Sequence, residues 1–409
     1  MKKYRHDSML ATVWIAVCLF FVSTLSLAGR HGTSSMPPAA GTEDSVGTDT
    51  VLADTLISEQ DEAWPYNVKS RISKLLESNI FETSSVGLMV YDLTADSVIF
   101  KHNERQLMRP ASTLKMMVAV AALDKLGKDY EYETGLYHTG TVEGCVLDGD
   151  LYCKGGFDPT FDGLDLGVFV DSVLRLGIDT IRGDLYADVS MKDSDRLGEG
   201  WCWDDDNPVL SPLLISREDE FMERFRSRLH KAGVETEGEL RTRRVPRNAE
   251  KICSIKRPIT DILPRMMKNS DNLYSESVFY HLASSDGQSV PATAKTGRQM
   301  MNRLITKLGF KASDYYVADG SGLSLYNYVS PELEVAFLKY AYGKNEIYVP
   351  LYAAMPVAGI DGTLDNRMRR GYARGNVHAK TGTVTGVSAL AGYCTAANGH
   401  TLCFSIINM

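Results

Sequence analysis

A serine three residues ahead of a lysine, at the start of a long apolar run, sets the tightest limit on this chain. Ser112 follows the small-residue lead-in Arg109-Pro110-Ala111, and Leu114 to Leu123 is apolar apart from Lys115. The run reads as a buried helix ending near Gly127, with Ser112 in its first turn. Positions i and i+3 share a helix face, so the Lys115 ammonium can reach the Ser112 hydroxyl. A serine is a weak nucleophile until a base takes its proton. A desolvated lysine at a positive helix start has a lowered pKa and can be that base. By itself the pair also fits a capped core helix with one exposed lysine, because Ser and Lys are common residues.

Two motifs far downstream separate these readings. Ser270-Asp271-Asn272 precedes a helix starting at Leu273, and Lys380-Thr381-Gly382-Thr383 opens a C-terminal hairpin. Ser-x-x-Lys, Ser-Asp-Asn and Lys-Thr-Gly form the motif set of penicillin-binding proteins and class A β-lactamases. Ser-Asp-Asn alone would pass for a helix N-cap; the order and spacing of all three would not. A second triplet, Lys295-Thr296-Gly297, runs into the helical pattern Arg298 to Leu304. The chemistry needs an extended edge that pairs with a substrate peptide and points an N–H at a developing oxyanion. Only the triplet at 380 has a strand after it, expected over Thr383–Tyr393, so the triplet at 295 is read as a decoy.

With these residues the chain resembles the D-Ala-D-Ala carboxypeptidase/endopeptidase family of low-molecular-mass penicillin-binding proteins (class C), over roughly residues 65 to 409. Further matching stretches are Gly149-Asp150-Leu151-Tyr152, Asp158-Pro159, Asp319-Gly320-Ser321-Gly322-Leu323-Ser324 and Pro356-Val357-Ala358-Gly359-Ile360-Asp361-Gly362-Thr363-Leu364. The resemblance implies an α+β, penicillin-recognising serine transpeptidase/β-lactamase-like fold, an antiparallel sheet with helices. It implies that Ser112 attacks the carbonyl between two D-alanines with Lys115 as base, giving an acyl-enzyme that water hydrolyses. Backbone N–H groups of Ser112 and Thr383 would form the oxyanion hole. Ser270 and Lys380 would relay the proton, Asn272 would hold the substrate amide, and Thr381, Gly382 and Thr383 would bind the terminal carboxylate strand. Asp158 would face the cleft and pair with the ammonium of a diaminopimelate side chain, or else only cap the turn at Pro159. Peptidoglycan stem peptides are the implied substrate and β-lactams the implied inhibitors. A serine β-lactamase or esterase on the same fold, and a non-catalytic peptidoglycan-binding relative, are the alternatives. There are two departures. Only residues 204–220 separate Trp201-Cys202-Trp203 from the helical pattern at Phe221, so the third domain often nested there is expected to be missing. The Gly-Leu-Ser signature is followed by Leu325 where the family usually has Arg, which removes a carboxylate reader unless Arg367 or Arg370 replaces it.

The rest of the chain sets the surroundings. Lys2, Lys3 and Arg5 precede an apolar run from Met9 to Ala28, closing in Ser26-Leu27-Ala28. This reads as a signal peptide or a retained membrane anchor, and either places the body outside the cytoplasm, in the periplasm. Residues 29–64 read as a tether rich in Gly, Ser, Thr, Pro and acids. Residues 65–135 and 250–409 form the expected transpeptidase-like domain, and 136–249 an inserted α/β domain in which Gly-Asp-Leu-Tyr occurs twice, at 149 and 183. The net charge of −8 gives no reason to expect nucleic acid. Eight scattered histidines form no His-x-x-x-His pair and the seven cysteines no Cys-x-x-Cys, so no metal or cofactor is expected. Cys394 and Cys403 lie symmetrically about Asn398-Gly399, a two-residue hairpin signal that would set them directly opposite each other.

Overall fold

In a computed structural model, residues 64–205, 207–287 and 291–409 are described. The expected signal or anchor segment, and the tether up to residue 63, lie outside them. The chain runs through α1 (Tyr66–Leu76), the hairpin β1 (Val86–Asp92) and β2 (Ser97–His102), and helix α2 (Leu114–Leu126). Next come β3 (Glu131–His138), β4 (Thr141–Glu143), β5 (Val146–Asp148), β6 (Leu151–Lys154), α3 (Gly163–Arg175), β7 (Thr180–Ile181) and β8 (Leu185–Asp188). Then follow α4 (Phe221–Lys231), β9 (Glu235–Thr236), β10 (Leu240–Thr242) and β11 (Glu250–Pro258). Helices α5 (Ile259–Lys268), α6 (Asn272–Ser284), α7 (Ala294–Lys307), α8 (Pro331–Tyr342) and α9 (Asn345–Ala354) lead to β12 (His378–Val384), β13 (Val387–Thr395) and β14 (Thr401–Asn408).

The first and last strands of the chain share one antiparallel sheet, in the order β12-β13-β14-β1-β2. Every residue of β1 is buried, so both faces of this sheet are covered. Side chains alternate between faces along a strand. Leu88 and Val90 pack with Val68 and Ile72 of α1, whereas Met89 and Tyr91 join the larger core with the helices. Helix α2 is buried at every position from Leu114 to Leu123. A helix apolar all round belongs at the centre of a core, and α2 packs there among α6 to α9. A second, mixed sheet has the order β10-β8-β6-β3-β11, and a smaller one the order β4-β5-β7-β9. The second sheet takes in all of β3 and β11, so it reaches outside the limits 136 and 249. Between Trp201 and α4 the described residues form neither helix nor extended strand, so nothing is nested there.

Two sequence expectations at the C-terminus need correction. Lys380-Thr381-Gly382 lies inside β12, and the run read as one strand from Thr383 to Tyr393 is broken by a turn at Thr385-Gly386. In the last hairpin Ala396 N donates to His400 O and Gly399 has φ +85. The loop is therefore three residues with glycine at its left-handed position, a common hairpin form, and the register moves by one. Cys394 pairs with Leu402 and Cys403 with Tyr393. The two cysteines point to opposite faces, Cys394 into the α1 core and Cys403 into the helix-side core. A disulfide needs facing Cβ vectors, and neither cysteine is in one. Alkylation of the unfolded, unreduced protein should label both cysteines, and recovery of a linked Cys394–Cys403 peptide would contradict this register.

Candidate active site

Ser112 sits in a 3-10 turn, Ala111–Thr113, that feeds directly into α2. Ala111 has φ +47, a left-handed conformation costing on the order of 1 kcal/mol outside glycine. Its surroundings hold it there. A Cβ on Gly322 would fall 1.9 Å from the Ala111 carbonyl oxygen, and one on Gly382 2.6 Å from that of Pro110. Only glycine at these two places lets the 319–324 loop and β12 close on the turn.

Lys115 is fully buried. Its Nζ lies 2.7 Å from Asn272 Oδ1, 2.7 Å from the Ser321 carbonyl oxygen and 3.0 Å from Ser112 Oγ. Burial lowers its pKa to about 8, against the opposing pull of Asp319, Glu276 and Asp271. The two 2.7 Å partners can only accept, and they use two hydrogens. In the neutral amine the remaining position is a lone pair aimed at the Ser112 hydroxyl, the arrangement a general base needs.

Lys380 Nζ donates to the Thr381 carbonyl at 2.7 Å and to Ser270 Oγ at 2.9 Å. It too is fully buried, and its pKa is pushed far down, first by burial and then by the Lys115 charge. Ser270 has φ +57, which turns its hydroxyl back toward β12. Asp271 caps α6 by accepting from Leu273 N, so Asn272 stands on the first turn, facing Lys115. β12 is the edge of its sheet. A bridge from Val357 to His378 and the bond from Ala379 N to Pro356 O cover its start, and Lys380 to Thr383 follow with the outer side open. Thr381 is buried with Oγ1 2.8 Å from Thr363 Oγ1, and Thr383 is exposed.

The profile of the D-Ala-D-Ala carboxypeptidase 3 (S13) family matches residues 68–216 and 213–409. The chain belongs to this family. It is 26% identical over 414 residues to D-alanyl-D-alanine carboxypeptidase DacB of Haemophilus influenzae, covering 80% of this chain and 86% of the relative. Against the D-alanyl-D-alanine carboxypeptidase of Actinomadura sp. strain R39 it is 27% identical over 440 residues, covering 83% and 80%. The solved structure of penicillin binding protein 4 (dacB) from Haemophilus influenzae superposes with a TM-score of 0.75 at 25% identity, over 80% of this chain and 90% of that one.

Within the S13 frame, Ser112, Lys115, Ser270, Asn272 and Lys380 converge, with Gly382 against the same turn, while Lys295-Thr296-Gly297 forms the first turn of α7. Asp158 makes no hydrogen bond to that group among the described residues. Its Oδ1 accepts from Thr160 N and Oγ1, and its Oδ2 faces Arg257 Nε at 3.3 Å. An incoming ammonium would have to compete with Arg257 for it. Sequence reasoning missed three supports. Asn207 Oδ1 accepts from Asn272 Nδ2 at 2.9 Å. Trp201 Nε1 donates to Asp319 Oδ2, and Asp319 also accepts from Gly322 N, Ser324 N and Asn327 Nδ2, fixing the loop that offers the Ser321 carbonyl. Arg217 pairs with Asp271 from a tight turn in which Ser216 and Arg217 both have positive φ. Without glycine, that turn leaves no signal in the sequence.

Glu334 of α8 is the other unread residue. Thr113 Oγ1 lies 2.7 Å from the Pro110 carbonyl and 2.5 Å from Glu334 Oε1, and Ser405 Oγ donates to Oε2 at 2.6 Å. One hydroxyl hydrogen cannot serve two acceptors. Thr113 donates to Pro110, and a protonated Glu334 donates to Thr113. Burial raises the Glu334 pKa to about 7. A carboxyl raised from its ordinary 4.5 stabilises fully below pH 4.5, and that contribution is lost as pH rises through 7. Glu334→Gln, which keeps a donor, should leave the turn intact and flatten the decline in melting temperature between these pH values. Glu334→Leu should cost about 1–3 kcal/mol, because Thr113 is left without its donor. An unchanged pH slope in Glu334→Gln would rule out the proton assignment.

Proposed function

We propose that this protein is an exported serine D-Ala-D-Ala carboxypeptidase with DD-endopeptidase capacity, acting on peptidoglycan stem peptides and trapped covalently by penicillins. The observation that carries the reading is the buried Lys115 amine 3.0 Å from Ser112 Oγ, beside an open strand edge that ends in Thr383. The family and the relatives named D-alanyl-D-alanine carboxypeptidase support the substrate. The basic and apolar N-terminal run supports export to the periplasm, by cleavage or with retention as an anchor.

The stem peptide adds to the outer side of β12 as one more strand. Ser112 Oγ attacks the carbonyl carbon between the two D-alanines as Lys115 Nζ takes its proton. The negative oxygen of the tetrahedral intermediate accepts from the N–H groups of Ser112 and Thr383. The carbon–nitrogen bond breaks and the leaving amine receives a proton relayed through Ser270 and Lys380. Water then enters, its oxygen bonds to the acyl carbon as Lys115 takes its proton, and Lys115 returns that proton to Ser112 Oγ as the acyl–oxygen bond breaks. A low pKa at Lys380 suits the relay, since a depressed ammonium gives up its proton readily. Asn272 holds the substrate amide, and Thr381 and Thr383 take the terminal carboxylate.

Ser112→Ala should abolish labelling by a fluorescent penicillin without changing the melting temperature by more than a few degrees; a labelled, folded variant would remove the nucleophile from Ser112. Acylation should accelerate as pH rises through about 8, where Lys115 becomes neutral; a rate flat across that range would point to a different base. Lys380→Ala should lower the rate by on the order of a hundredfold, and Lys295→Ala should leave it unchanged. Equal losses would mean strand context does not distinguish the two triplets. Slow release of bound penicillin separates this activity from a β-lactamase, which turns it over.

A further inference from the structure

The two Gly-Asp-Leu-Tyr stretches form one device. Strands β6 and β8 pair in parallel with Tyr152 beside Tyr186, and β3 sets Tyr137 beside Tyr152. Three tyrosines thus stand in one row across the second sheet, on the face away from the core that holds Leu136, Leu151 and Leu185. Each repeat aspartate holds its own tyrosine: Tyr152 Oη donates to Asp150 and Tyr186 Oη to Asp184. The Tyr152 and Tyr186 rings stack with centroids 4.9 Å apart and planes 13° from parallel. The Arg243 guanidinium lies over the Tyr186 ring at 5.7 Å, and its bond to Tyr186 raises its pKa further. A guanidinium on an aromatic face is held in place without being neutralised.

Arg243 is one wall of a groove of about 660 Å³ that also takes in Tyr137, Lys154, Arg244, Arg247 and Asp188. Lys154, Arg244 and Arg247 are exposed and make no ion pair among the described residues. Asp188 is buried beneath them, its two oxygens held by Ser190 N and Val245 N, so it offsets one of the four positive charges and leaves the recess cationic. In a chain of net charge −8, four cations converge on one recess with Asp188 in its lining and Asp150 near Arg243, an excess of positive charge. Ser284, at the end of α6, is on its rim. Asn272 starts that helix at the active site, so the groove lies about 18 Å away at 1.5 Å per residue.

We infer that this groove is a second docking site for the polymer substrate, holding the carboxylates of a stem peptide next to the one in the active site. Arginine forks match carboxylates two bonds at a time. The choice of carboxylate over other anions rests on the activity proposed above; the presence of an anion site does not.

The test uses the full chain with Ser112→Ala, so that binding is measured without turnover, and purified insoluble peptidoglycan as the probe in a pelleting assay. The triple change Arg243→Glu, Arg244→Glu and Arg247→Glu should weaken pelleting about tenfold or more, equivalent to about 1.4 kcal/mol. Arg244→Lys with Arg247→Lys should retain it, and raising salt from about 0.05 to 0.3 M should weaken the parent alone. In the Ser112 background the triple variant should still react with penicillin and hydrolyse a short soluble D-Ala-D-Ala peptide at the parental rate. Unchanged pelleting of the triple variant overturns the proposal. So do equal binding to glycan stripped of its stem peptides, tighter attachment to phosphatidylglycerol vesicles, and loss of hydrolysis of the short peptide. If the unaltered protein hydrolyses no D-Ala-D-Ala peptide yet pellets through these arginines, the proposed function fails while the docking site stands.

Discussion

Two lysine ammonium groups without solvent contact, Lys115 and Lys380, govern the architecture around them. Taking such a group out of water is unfavourable by several kcal/mol unless fixed dipoles replace the water. For Lys115 the replacements come from distant parts of the chain, the Ser321 carbonyl and Asn272 Oδ1; for Lys380 they are the carbonyl of its neighbour Thr381 and the distant Ser270 hydroxyl. Each has to be held rigidly, because a dipole that swings away leaves a charge stranded. This accounts for the bonds gathered on Asp319, for the cap Asp271 places on α6, and for Gly322 and Gly382 at the closest backbone approaches. It also couples the two amines, since the Lys115 charge adds to burial in lowering the proton affinity of Lys380.

How much of this could be read from the residues depends on whether the signal is local. The Ser112 helix, the cap before α6 and the strand character at Lys380 are written in neighbouring residues, and the sequence reading placed each within a few positions. Helices α8 and α9 were not read. Their inward and outward faces differ little in polarity, and the evidence for α8 reduces to Ser330 followed by Pro331, a start signal without a periodic body. With α8 unread, Glu334 could not be placed beneath Thr113. The Cys394–Cys403 expectation failed over one residue of loop length: the hairpin was seen, but the sequence at Asn398-Gly399 suits both two-residue and three-residue turns. Arg217 was hidden because its turn has no glycine. The tyrosine row was half visible, as a repeated tetrapeptide whose meaning depends on which strands pair and in what register.

Those pairings also show how the two sheets divide the work. The first sheet is covered on both faces, and its contribution to the site is one edge. The second carries a row of rings with Tyr152 buried at its centre, beside which Arg243 stays exposed over Tyr186. Helix α6 links the two, with Asn272 at one end and Ser284 at the other. Its burial from Leu273 to Ala283 makes it a rigid spacer between the two regions.

The open side of β12 carries a liability of its own. An unpaired strand edge is a template for any extended backbone, including that of a neighbouring molecule, and proteins usually blunt such edges with bulges, charges or cover. Here the cover from Pro356 and Val357 stops at Ala379, and the Lys380 amine is turned inward. The remaining protection is brevity, since the turn at Thr385-Gly386 ends the edge soon after Thr383. Colloidal behaviour and substrate access are therefore set by the same few backbone groups. A substitution that sealed this rim to make the protein easier to concentrate would close the active site in the same step.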